Sequence, residues 1–129
     1  MMCMLMTKGL TVSSSSSKIV PKGWGYEYHI VNKEEYCGKL LVFRSGKKCS
    51  WHYHKLKDET FYIQSGCIHL RYGRGDDIRE SNVIILKPGD SFHVPRGLRH
   101  QMMALEDTEL FEFSTQDFET DSYRIIRGD

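Results

Sequence analysis

Residues 46–66 read GKKCSWHYHKLKDETFYIQSG, and the placing of His52, His54 and Glu59 between Gly46 and Gly66 decides how the chain is read. Side chains alternate faces along a strand, so two histidines two positions apart project both imidazoles to one side, while Trp51 and Tyr53 point the other way. Glu59 follows the polar turn Lys55 to Asp58 and can swing back beside the imidazoles. Phe61 and Ile63 share its parity and are expected to line the same interior. His100 follows Pro95-Arg96-Gly97, a turn able to aim a new strand inward. Three neutral nitrogens and one carboxylate suit a borderline divalent ion, one of Mn, Fe, Co, Ni, Cu or Zn, better than Ca or Mg.

Outward from this stretch the signals are those of short strands, rich in Tyr, Phe, Ile and Val and separated by Gly, Pro, Asp, Asn and Ser. They run over 26–31, 39–44, 49–54, 60–64, 67–72, 83–86, 91–94, 100–105 and 109–114. Nine short strands at close spacing predict an all-β sandwich or barrel. Ser45-Gly46, Ser65-Gly66 and Pro88-Gly89-Asp90 have the chemistry of tight turns. Thr11 to Ser17 is nearly all hydroxylated, too polar to offset the entropy of ordering it, which predicts a flexible arm over 1–18. One folded domain is expected over 19–129. Within it, 117–129 is polar with Tyr123, Ile125 and Ile126 embedded, a tail packed on the barrel or on a partner subunit.

Composition narrows the function classes. A chain of 129 residues supports one domain core. Eighteen basic residues against 17 acidic leave a net charge of +1 with no basic stripe, which argues against nucleic acid as partner. No apolar run approaches the roughly 20 residues of a membrane helix, so no membrane partner is expected. Met1 to Met6 lacks the features of a secretion signal, and the expected location is cytoplasmic. Cys3, Cys37, Cys49 and Cys67 show no paired spacing and read as reduced thiols.

The spacing supports a more specific statement. Gly46, His52, His54, Glu59 and Gly66 match the first cupin motif, G-x5-H-x-H-x3,4-E-x6-G, at every named position. Gly89, Pro95, Gly97 and His100 match the second, G-x5-P-x-G-x2-H, with Ala104 standing where the full pattern has Asn. The chain therefore resembles the cupin superfamily. That resemblance implies a double-stranded β-helix, or jelly-roll barrel, with His52, His54, Glu59 and His100 as ligands of one divalent transition metal ion. Softer matches at Val20 to Glu27, Tyr36 to Lys39, Lys57 to Thr60 and Leu110 to Thr115 resemble the C-terminal domain of type II mannose-6-phosphate isomerases. Gly23 replaces the usual Pro before Trp24, and the terminal Tyr-Gly-Arg of that family is missing.

The resemblance implies an aldose–ketose isomerase acting on a sugar or sugar phosphate, in which a side-chain base moves a proton between adjacent carbons. Glu112 and Lys39 are the candidates, as charges inside apolar strands. Arg99 and Arg44 are candidates for holding a phosphate or sugar hydroxyls, and Trp24 or Tyr26 for stacking on a sugar ring. His29, His69 and His93 are read as structural. A non-catalytic carbohydrate- or carboxylate-binding cupin and an iron-dependent dioxygenase remain alternatives. Strand edges needing cover, together with the resemblance, suggest a homodimer.

Overall fold

In the computed structural model the described residues are 18–129; of the expected arm over 1–18, residues 1–17, with Cys3, lie outside them, and Lys18 belongs to the first strand. Nine strands occur among the described residues: β1 Lys18–Lys22, β2 Gly25–Asn32, β3 Cys37–Phe43, β4 Trp51–Tyr53, β5 Glu59–Gly73, β6 Asn82–Leu86, β7 Ser91–Val94, β8 Arg99–Ser114 and β9 Tyr123–Ile126. Two short 3-10 turns, Ile78–Glu80 and Glu119–Asp121, interrupt the β structure.

The architecture is organised by two long strands. β5 and β8 are antiparallel partners from Glu59↔Ser114 to Gly73↔Arg99. Their first and last halves serve different parts of one curled sheet. One half runs β1-β2-β3-β8-β5-β7, and the other runs β9-β4-β8-β5-β6. The result is the jelly-roll barrel expected from the motifs.

The strand count expected from sequence is nine, but its members differ. The stretches 60–64 and 67–72 are one strand, because Ser65-Gly66 bends the chain without breaking the ladder. Register shifts between Ile63 and Ile68 mark the bend. Gly66 sits there at φ 95°, and a Cβ on it would lie 2.3 Å from Thr108 Oγ1. The same Thr108 hydroxyl accepts the Cys67 N–H at 3.0 Å. A close crossing and a positive φ together explain why glycine stands at this corner. Likewise 100–105 and 109–114 join into β8. The polar tail contributes β9, which pairs with β4, and Lys18 opens β1.

The core lies between the two halves of the sheet. β3 buries every second residue, Cys37, Lys39, Leu41 and Phe43. Phe61, Ile63, Ile68, Leu70 and Leu110 are fully buried. Each such side chain contributes about 1.5–3 kcal/mol by leaving water. Trp51 is buried on the opposite side of β4, where its indole N–H donates to the Asp76 carbonyl at 2.8 Å. Cys37 and Cys49 are buried free thiols, and burial pushes the Cys49 thiol up to about 12.

Candidate metal centre

The register brings the histidines together. His52 faces His100 across β4 and β8, and their ring centroids are 4.4 Å apart. His54 comes just after β4 on the same face, its ring 4.9 Å from His52 and 5.6 Å from His100. One ring nitrogen from each of His52, His54 and His100 lies within 4.8 Å of the others, so the three could hold one metal ion. Glu59 opens β5 beside them: its Oε2 is 3.2 Å from His54 Nε2 and 3.5 Å from His100 Nε2.

The hydrogen bonds set the tautomers. His52 Nδ1 meets the Ser50 carbonyl at 2.8 Å, His54 Nδ1 the Asp121 carbonyl at 2.9 Å, and His100 Nδ1 the Leu98 carbonyl at 2.9 Å. A carbonyl only accepts, so each Nδ1 carries the hydrogen and each neutral ring turns a bare Nε2 lone pair inward. Glu59 Oε2 is buried without a hydrogen-bond partner. The short approach of Glu59 to His54 is thus a meeting of two acceptors. Convergent lone pairs of this kind repel one another until a cation sits among them, and this donor set fits a divalent transition metal.

Electrostatics agree with that reading. Burial, with the neighbouring His100 and His54, holds the His52 imidazole well below its usual value. Burial also lowers His100. His54 is raised, because the adjacent Glu59 carboxylate overcomes the effect of burial. Burial alone would raise Glu59, yet Lys57 and the His54 contact hold it well below the usual carboxylate range. A proton on His54 and a metal ion therefore compete for the same place. Metal uptake just below the raised His54 value is expected to release about one proton per ion, and affinity to fall as pH drops through it. Calorimetric titrations in buffers of different ionisation enthalpy check this. Uptake without proton release would contradict it.

The centre opens into a cavity of about 1650 Å³, lined by Trp24, Lys39, Lys57 and Glu112 among others. Of the sequence candidates, Glu112 and Lys39 reach this cavity, paired across β3 and β8. Trp24 is on its wall, stacked on Phe43 at 4.0 Å. The remaining three lie elsewhere. Tyr26 is not among the cavity-lining residues. Arg44 is exposed and donates to the Gly23 carbonyl at 2.9 Å. Arg99 follows the alternation of β8 to the face opposite His100, ion-paired to Asp76 at 2.8 Å and stacked on the Tyr53 ring at 3.7 Å.

Four polar residues of the site escape the sequence reading. Lys57, within the polar turn Lys55 to Asp58, is buried, its Nζ 2.9 Å from Glu112, 3.0 Å from Asp117 and 3.6 Å from Glu59. It shares strand parity with Glu59, which is the signal that could have found it. Glu27 and His29, hydrogen-bonded at 2.7 Å, line the cavity from β2. Asp121 is buried and its carboxylate accepts from the backbone N–H groups of Lys55, Leu56 and Lys57 at 2.9–3.1 Å. Together with the His54 contact, this clamps the turn that carries His54 and Lys57.

Comparison with known proteins agrees with the fold. The Cupin domain family profile matches residues 39–113. No curated protein matches. Among solved structures the fold is similar to oxalate decarboxylase from Bacillus subtilis, with a TM-score of 0.74 and 20% identity over 85% of this chain and 30% of that one. It is also similar to the capsular polysaccharide assembling protein CapF from Staphylococcus aureus, at 0.72 and 16% over 84% and 34%. KdgF from Halomonas sp. matches at 0.69 and 17%, over 83% of this chain and 93% of its own. The chain thus spans about a third of the first two proteins. A profile match over more than half of the residues, on a jelly-roll barrel whose histidines converge inside it, places this chain in the cupin family.

Proposed function

We propose that this cupin is a metal-dependent aldose–ketose isomerase acting on a sugar or sugar phosphate. The observation that carries the reading is a buried carboxylate, Glu112, that lines the same cavity as the histidine cluster and is flanked by two ammonium groups. A metal held by His52, His54, His100 and Glu59 would draw on the oxygens of a carbonyl and its neighbouring hydroxyl, lowering the cost of an enediolate.

The chain's own residues supply the proton transfer. Burial and the charge of Glu59 raise the Glu112 carboxyl above its usual value, against the pull of Lys57 and Lys39. A raised carboxylate is a better base near neutral pH. Glu112 takes the proton from the carbon bearing the hydroxyl, exchanges it with water in the open cavity and delivers a proton to the former carbonyl carbon, while the hydroxyl proton passes through water to the former carbonyl oxygen. Lys57, raised because Glu112, Glu59 and Asp117 outweigh burial, stays charged throughout and holds Glu112 in place. Trp24 offers an aromatic wall to the apolar face of a sugar ring. The residues that resemble mannose-6-phosphate isomerases support the same chemistry.

The test is proton exchange. Metal-loaded protein in deuterated water, offered aldoses, ketoses and their phosphates, is expected to place deuterium at the carbon next to the carbonyl, read by NMR. Neither exchange nor interconversion on any of them would remove the isomerase reading, and saturable sugar binding without exchange would leave a binding cupin. The suggested homodimer would bury the apolar groove of Ile30, Tyr36 and Phe113. A monomer by light scattering would end that part.

A further inference from the structure

We propose that Arg124 is the anion-recognition residue of the cavity, taking a carboxylate or phosphate group of a ligand whose other oxygens reach the histidine cluster. Nothing in the motifs points to it, because it lies on β9, in the tail that sequence leaves unassigned. The register does: Arg124 is the direct partner of His52 across β4 and β9. Its predecessor Tyr123 stacks on Tyr53 at 5.2 Å, on the face that also carries the Arg99 guanidinium. Alternation then turns Arg124 to the face of His52, and Arg124 lines the cavity.

Charge pairing leaves it available. The two buried cations of the cavity are committed: Lys57 to Glu112 and Asp117, and Lys39 to Asp117 at 3.1 Å. Arg124 has no ion pair or side-chain hydrogen bond among the described residues, although it is exposed on the cavity wall. Of the acids near the tail, Asp129 is engaged by the Lys48 N–H at 2.9 Å, and Glu119 also lines the wall. Arg127 lines the same wall and adds to the positive potential. A guanidinium presents a planar fork of donors that matches two oxygens of a carboxylate or phosphate. The ligand class that fits is therefore an anion, with the charged group held beside His52. This deepens the proposed function, since it selects a sugar phosphate or sugar acid over a neutral sugar.

The test reads anion binding, not turnover. Zinc-loaded protein is titrated calorimetrically with inorganic phosphate and with malonate. Arg124→Met is expected to weaken at least one of them by about tenfold, the loss of a charge-assisted hydrogen bond, with Arg124→Lys recovering part of it. Arg99→Met, on the outer face, is expected to bind as the unaltered protein does. Preference for phosphate would assign a phosphate ester, and preference for malonate a carboxylate. Equal binding by Arg124→Met, as direct coordination to zinc alone would give, or no saturable binding by the unaltered protein, overturns the proposal. Absence of sugar isomerisation leaves it standing.

Discussion

Replacing Lys57 with methionine is expected to cost about 3–5 kcal/mol of folding stability, because it leaves the buried Glu112 and Glu59 without their nearest ammonium group. Methionine nearly preserves the length and volume of the lysine stem, so the loss is electrostatic and not a packing defect. Lys57 is 4% exposed and reaches Glu112, Asp117 and Glu59 at once. In a chain of this size the change corresponds to a fall in Tm on the order of 10 °C or more. The double change Lys57→Met, Glu112→Leu is expected to recover part of that fall, since it removes one stranded charge. Thermal unfolding followed by circular dichroism checks both. A single variant within about 1 kcal/mol of the unaltered protein would show that the network is solvated and the account of the cavity wrong.

The second large effect is on turnover. Glu112→Gln keeps the shape of the side chain and its place beside Lys57, and removes its negative charge together with the ability to take a proton. If Glu112 is the base, kcat falls by roughly 10²–10⁴-fold while metal content is unchanged. The pH profile carries its own signature. A base works when deprotonated, so activity is lost as pH falls through its value, and the raised Glu112 carboxyl puts that acid limb above the ordinary 4.5. Steady-state kinetics on whichever sugar shows exchange provides the measurement. Turnover retained in Glu112→Gln would move the base elsewhere in the cavity.

The histidine cluster was legible in the sequence because strand alternation is a local rule. Spacing put His52 and His54 on one face, the resemblance to the two cupin motifs marked them and His100 as ligands, and the parity of Glu59, Phe61 and Ile63 carried over to the buried face of β5. The same rule shows why Arg99 lies outside: it precedes His100 by one position, and neighbours on a strand cannot share a face. What was not legible depends on pairing between distant segments. Lys57 looks solvated until β8 brings Glu112 against it, 55 residues later in the chain. Arg124 looks like part of a polar tail until β9 pairs with β4. The join of two short strands at Gly66 likewise needs Thr108, whose crossing no local pattern announces.

The most direct test of the metal centre is elemental analysis of the purified protein beside His52→Ala, His100→Ala. The structure predicts about one equivalent of a transition metal per chain in the unaltered protein after reconstitution, and its loss in the variant with the barrel still folded by circular dichroism. No bound metal in the unaltered protein, or equal retention in the variant, would contradict the account of the converging Nε2 lone pairs.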